Sequence, residues 1–228
     1  MSVAVITSIY GDFDVPKVQP PQTVDAEWIL VTDREVEAPG WKVVVEPRPH
    51  MHPCLAAKVA KCVPSLYTGA STTVWMDGSL QLLREDSLEQ IIAGSEGQSI
   101  AQIEHPARDC IYDEAEFCVP IPKYAGQPMI QQVDHYRKLG HPAHWGLYAT
   151  GLIVRNSQDS LDRLSTMTPE EDEEVKTVGQ EWLIEQMRWS FQDQLSEVFL
   201  LRQYAVPMTV LPFPLHGSGL FEWHAGHH

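Results

Sequence analysis

The residues best suited to chemistry in this chain are carboxylates, ammoniums and imidazoles standing where regular elements stop. Asp77 follows the β-branched and aromatic run Thr72-Thr73-Val74-Trp75-Met76 and precedes Gly78 and Ser79. A carboxylate at the carboxyl end of a buried strand stands where open α/β sheets bind ligands. It can hold a hard divalent cation, which in turn holds phosphate oxygens. Asp-Gly is also among the commonest turn dipeptides, so taken alone the pair reads first as a reversal of the chain. Lys58 and Lys61 fall within one turn of a helix-favouring segment that Pro64 stops, and they serve either a ligand or solvent. His105, Arg108 and Asp109 place an imidazole, a guanidinium and a carboxylate in a loop just past a predicted strand, a position that carries function or ordinary polarity. Asp193 stands in the first turn of a predicted helix, where a carboxylate most simply caps. His141 and His144 lack the helical spacing of a metal pair and read as a loop. His216 and the final His224, His227 and His228 offer either a metal ligand or an inert end.

The elements that must position these groups follow from the apolar pattern. Residues 3–9 form a near-continuous apolar run closing in Tyr10-Gly11-Asp12, which fits a central strand buried on both faces. Residues 28–32 end in Asp33, and residues 41–45 fade into a turn at Pro47 and Pro49. Beyond Asp77 the pattern predicts a helix at 87–93 with Gly94 as its C-cap, a strand at 99–104, a short acidic helix at 111–119 and a helix at 128–139 ended by Gly140. Gly146 and Gly151 bracket the approach to a strand at 152–155, which suggests a close approach of backbone or ligand there. Thr168, Pro169 and Glu171 spell a capping box for a helix carrying Val175, Val178, Trp182 and Trp189 on its core face. A second helix then carries Leu195, Val198, Phe199 and Arg202. The expected organisation is one domain over residues 1–211 and an irregular tail over 212–228.

Composition bounds the function. The 228 residues, 43% of them hydrophobic, suffice for one sizeable core. No run approaches the roughly eighteen apolar residues of a membrane span, and the N-terminus lacks a basic signal start, so no membrane partner and a cytoplasmic location are expected. Cys54, Cys62, Cys110 and Cys118 lack the short gap of a zinc knuckle and read as reduced, mostly buried thiols. Sixteen basic against thirty-one acidic side chains give a net charge of -15, which repels nucleic acid at long range. Much of that excess lies in residues 169–174, where it serves a helix dipole.

Taken together, Tyr10-Gly11, Val31-Thr32-Asp33, Ala56-Ala57-Lys58, Trp75-Met76-Asp77-Gly78, His105-Pro106 with Arg108 to Ala115, Gly146-Leu147-Tyr148 with Thr150-Gly151, and Asp193-Gln194 carry a resemblance. In this order they are similar to the glycosyltransferase-like domain of plant mucilage-related proteins and of bacterial and phage genomes. That family resembles nucleotide-sugar transferases of the GT-A fold, which implies a Rossmann-type α/β sandwich with a central, mostly parallel sheet flanked by helices. It also implies a glycosyltransferase.

The resemblance distributes roles over the residues. Thr7, Ser8, Tyr10, Gly11 and Asp33 would face the base and ribose of a UDP-sugar donor, and Lys58 its diphosphate. Asp77 would stand at the metal-binding Asp-x-Asp motif and hold Mn2+ or Mg2+. Ser79 replaces the second carboxylate, so His216 or His224 would have to complete the metal site. Asp193 would be the base or nucleophile beneath the sugar, because breaking the anomeric bond leaves positive charge on the ring and negative charge on the departing phosphates. His105, Arg108 and Asp109 would line the sugar or acceptor pocket. The acceptor would be a glycan or, in a phage, a hydroxymethylated DNA base. A binding module without turnover is the alternative on the same fold.

Overall fold

A computed structural model of the chain describes residues 2–95, 97–156 and 177–224. A seven-stranded sheet runs through it, built from β1 (Val3–Ile9), β2 (Glu27–Thr32), β3 (Lys42–Val45), β4 (Thr72–Met76), β6 (Ile100–Glu104), β7 (Tyr148–Asn156) and β8 (Met208–Val210). Their order across the sheet is β3-β2-β1-β4-β7-β6-β8. The pairs β1 with β2, β1 with β4, β2 with β3 and β6 with β8 are parallel, and β7 runs antiparallel between β4 and β6.

The helices are α1 (Pro53–Cys62), α2 (Ser87–Gly94), α3 (Ile111–Cys118), α4 (Met129–Lys138), α5 (Val178–Arg188) and α6 (Asp193–Gln203). Alternation along β1 shows why the sheet is covered on both faces. Ala4 and Ile6 join a core with Ala56 and Ala60 of α1, Trp182 of α5 and Val198 of α6. Val3 and Val5 join a second core with Leu88 and Ile91 of α2. Two apolar faces require two covering layers, which gives the expected sandwich.

Four features differ from the sequence reading. The predicted helix start at Thr168 and the acidic run 169–174 lie outside the described residues; α5 begins at Val178, capped by a reciprocal box in which Thr177 accepts from the Gln180 N–H. Gly94 is the last residue of α2, not its cap, and a side chain there would meet Pro212 at 2.9 Å. Within the stretch expected to be irregular, β9 (Phe221–Trp223) pairs antiparallel with β5 (Leu80–Leu82). Finally, β7 starts at Tyr148, before Gly151, and its register against β6 jumps from Gln102↔Ile153 to Ile103↔Ala149. That irregularity leaves Thr150 and Gly151 without partners on β6, free to serve the cleft below.

Candidate active site

The carboxyl ends of β1 and β4, the N-terminal half of α6 and one face of α1 enclose a cleft of about 600 Å³. Asp77 leaves β4 in a turn: its N–H donates to the Gly151 carbonyl at 2.8 Å, and its carbonyl accepts from Leu80 N–H at 2.9 Å. Gly78 is required there, since a Cβ would lie 2.9 Å from Ile9 Cγ1. The turn reading of Asp77-Gly78 is therefore met. The backbone reverses, and the Asp77 side chain, 40% exposed, lines the cleft.

Asp193 opens α6 from the opposite wall, and its carboxylate is saturated. Oδ2 lies 2.5 Å from both Lys58 Nζ and Lys61 Nζ, and Oδ1 accepts the Thr150 hydroxyl at 3.1 Å. Trp182 Nε1 donates to its carbonyl at 3.0 Å. Lys61 also reaches Asp77 Oδ1 at 3.5 Å, an oxygen that accepts Trp75 Nε1–H at 2.7 Å. Two carboxylates that are 116 positions apart in the sequence thus share one lysine. Burial opposes ionisation of Asp193, but the Lys58 and Lys61 ammoniums outweigh it and hold the carboxyl far below its usual range. Burial likewise works against the Lys58 ammonium, and Asp193 and Asp77 reverse the balance, raising it above its usual value.

The three-residue step between Lys58 and Lys61 explains the convergence, because it sets both stems on one face of α1. His52 fixes the start of that helix: its Nδ1 accepts the Cys54 N–H, and its ring stacks on Phe191 at 4.8 Å, just ahead of α6.

A second polar cluster lines the cleft beside α3. The Glu114 carboxylate, almost fully buried, accepts from Arg108 Nε and from Gln192 Nε2, the latter at 2.7 Å. Tyr124 donates to Gln192 Oε1 at 3.0 Å, linking this cluster to α6. His105 Nδ1 accepts the N–H groups of Ala107 and Arg108 at 3.3 and 3.0 Å, so in the neutral ring Nε2 carries the proton. Burial lowers the His105 pKa against the opposing pull of Glu114, favouring that neutral form.

Of the residues picked from sequence, Ser8, Tyr10, Lys58, Asp77, His105, Asp193 and His216 line this cleft. Others are placed elsewhere. Thr7 is buried within β1, and Asp33 Oδ2 accepts the Gly11 N–H at 2.9 Å in a tie behind the cleft wall. Arg108 turns to Glu114 and lies over the Phe117 ring at 3.9 Å. Asp109 is exposed and pairs with His144 at 2.8 Å, while His141 is buried against Tyr112 and Phe199. Glu114 and Gln192 are cleft residues for which the sequence offered no role, and Lys61, open in sequence to ligand or solvent, lines the cleft as well. Lys61 carried the clearest signal, its helical step from Lys58.

The donor set fits a divalent cation poorly. Asp77 Oδ1 is already engaged, which leaves Oδ2, and the ammonium of Lys61 stands beside that carboxylate where a dication would add like charge. The Ser79 hydroxyl, in place of a second carboxylate, accepts Trp223 Nε1–H at 2.7 Å. The His216 ring packs on Trp223 at 5.8 Å, and His224 Nε2 lies 3.9 Å from Glu222. Among the described residues, the cluster whose ligand atoms lie within 4.8 Å of one another is Cys110, Asp113 and His144, outside the cleft.

A mostly parallel sheet between two helical layers, with polar side chains gathered at its strand ends, defines a GT-A-like α/β fold of the glycosyltransferase type. Residues 22–148, more than half of the chain, match the model of the TOD1/MUCI70 glycosyltransferase-like domain, and the chain belongs to that family. Among solved structures it is similar to the bifunctional glycosyltransferase WbbM in its apo form, with a TM-score of 0.50 and 12% identity. That likeness covers 92% of this chain and 39% of the WbbM chain, and it is a likeness of fold. No curated protein matches the sequence. No helix among the described residues is long and apolar enough to cross a membrane.

Proposed function

We propose that the cleft binds a nucleoside-diphosphate sugar, in the first instance a UDP-sugar, and transfers its sugar to an acceptor hydroxyl. The observation that carries this reading is the meeting of Lys58, Lys61, Asp77 and Asp193 at the strand ends. Sugar transfer needs positive charge beside the departing diphosphate, and lysines held in a poorly hydrated wall supply it more effectively than lysines in water.

The individual roles follow from which atoms are free. Asp193, expected from sequence to be the base or nucleophile, has both oxygens occupied and serves to hold the lysines. Asp77 Oδ2 has no hydrogen-bond partner among the described residues, and it is the carboxylate oxygen open to the reacting sugar or acceptor. His105 Nε2–H offers a donor to a sugar hydroxyl. Tyr10 and Phe13 form an aromatic wall for the nucleoside. The net charge of -15 favours a neutral glycan over DNA as acceptor.

The test is release of UDP from a panel of UDP-sugars, with and without added glycan acceptors. Turnover by the wild-type chain that falls by at least about a hundredfold in Asp77→Asn, with the fold intact by circular dichroism, supports the enzyme. Ser79, tied to Trp223 where a ligating carboxylate is expected, favours the second reading, a nucleotide-sugar-binding module. Saturable binding without turnover on any acceptor would establish that instead.

A further inference from the structure

We propose that this site holds a diphosphate through Lys58 and Lys61 without a divalent cation, with Asp193 as the residue that positions both ammoniums. The proposal rests on the nucleotide-sugar reading only in naming the ligand that brings the diphosphate.

Hydrogen-bond capacity is the first argument. An ammonium has three N–H donors. Among the described residues, Lys58 spends one on Asp193 and keeps 18% of its side chain exposed, so it has donors left for phosphate oxygens. Lys61 is 1% exposed and bridges Asp193 and Asp77, so it acts as fixed charge behind the first contact.

Charge balance is the second. Lys58 and Lys61 bring two positive charges and Asp193 and Asp77 two negative ones, so the four groups balance. The pull on an anion comes from position: the Lys58 ammonium lines the cleft with donors left, in a water-poor wall where charge acts more strongly than in solvent. The Thr150 hydroxyl, donating to the Asp193 carboxylate, and the Trp182 indole of α5, donating to the Asp193 carbonyl, fix Asp193, so the two ammoniums are organised before a ligand arrives. The third argument is the donor set. The place of a second carboxylate is taken by a serine committed to Trp223, and the first carboxylate already neighbours Lys61. The positive charge such a site requires is therefore built into α1.

Calorimetric titration of the full chain with pyrophosphate, and separately with UDP, each in EDTA and in Mn2+, decides the matter. The expected result is binding of both probes in EDTA, with affinity changing less than about threefold on adding Mn2+. Lys58→Met should weaken both by at least about tenfold, the loss of a charge-assisted bond, and Lys58→Arg should recover part of it. If Lys58→Met does not fold, the wild-type comparison between EDTA and Mn2+ still decides. Pyrophosphate binding only in Mn2+, lost in Asp77→Asn, would overturn the proposal. Binding of UDP in Mn2+ alone would overturn it while leaving the nucleotide-sugar reading intact. Pyrophosphate binding in EDTA with UDP no tighter would uphold it and remove the nucleotide instead. No binding of either probe in either condition ends both.

Discussion

Lys61 Nζ lies 2.5 Å from Asp193 Oδ2, with 1% and 5% of the two side chains exposed. An ion pair this deeply buried constrains more than it stabilises, because each charge lost most of its hydration to get there. Removing one partner is the costly change. Asp193→Asn should destabilise the chain by about 3–5 kcal/mol, since it leaves two ammoniums facing a neutral amide. Lys61→Met combined with Asp193→Leu should be milder than the sum of the single changes, because Lys58 alone then keeps access to water. Urea denaturation of the three variants measures the coupling. Additive effects would show that the pair is not coupled.

The same pair sets an acid limit. The folded-state pKa of Asp193 is depressed, so its contribution to stability is complete above the ordinary carboxylate value of 3.8 and is lost as pH falls below it. Glu197, one turn further along α6, behaves oppositely. Burial, and after it the neighbouring Asp193, push its pKa up to about 8, and it accepts from Gln102 Nε2. A raised pKa means the folded chain holds a proton that the unfolded chain releases near 4.5, so stability declines from there to about pH 8. Glu197→Gln, which mimics the protonated form, should flatten that decline. Melting temperatures of the two proteins should match near pH 5, with the variant higher near pH 8. An unchanged slope would show that Glu197 ionises without cost.

Much of this arrangement was legible in the chain, for identifiable reasons. Val3–Ile9 and Thr72–Met76 are buried on both faces, so their apolar runs are uninterrupted and their polar stops, Tyr10-Gly11 and Asp77, stand out. Asp77 and Asp193 were each marked by position at an element end, and Lys58 by its helical step from Lys61. Arg108 and Asp109 misled because adjacency in a loop says nothing about direction: buried Glu114 draws one inward, and His144 holds the other at the surface. Glu114 and Gln192 escaped notice because a buried polar residue on a helix has the same letter as a solvated one. Helix α6 is buried over most of its surface, Glu197 and Ser196 included, so it shows no apolar stripe to separate inside from outside. The three-residue strands β5, β8 and β9 are too short for any period to register.

The seating of α1 depends on a position remote from the cleft. A Cβ on Gly179 of α5 would lie 2.1 Å from the Cys62 carbonyl oxygen, a backbone atom at the end of α1. Neither side can yield without moving a helix. Gly179→Ala should therefore destabilise the chain by about 1–3 kcal/mol or more and displace the lysines as well. Thermal melting and pyrophosphate affinity should fall together. A variant with wild-type melting behaviour would show that the two helices are not in contact here.

Trp75 tests whether the orientation of Asp77 matters apart from its charge. The indole N–H donates to Asp77 Oδ1 at 2.7 Å, and the ring lies 5.6 Å from Lys61 Nζ, so one side chain touches both partners of the shared contact. Trp75→Phe keeps an aromatic surface for the ammonium and removes the donor. The loss of one hydrogen bond to a charged acceptor is worth about 1.5–3 kcal/mol where the acceptor is buried, and less here because Asp77 is 40% exposed and water can replace the donor. Stability should change little. Turnover, by contrast, should fall by about tenfold or more, because a carboxylate free to rotate presents its open oxygen to the reacting sugar for only part of the time. The discriminating measurement is UDP release against UDP affinity in the same variant: affinity preserved with turnover lost assigns Trp75 an orienting role. Equal losses in both would mean that Asp77 and Trp75 merely shape the pocket.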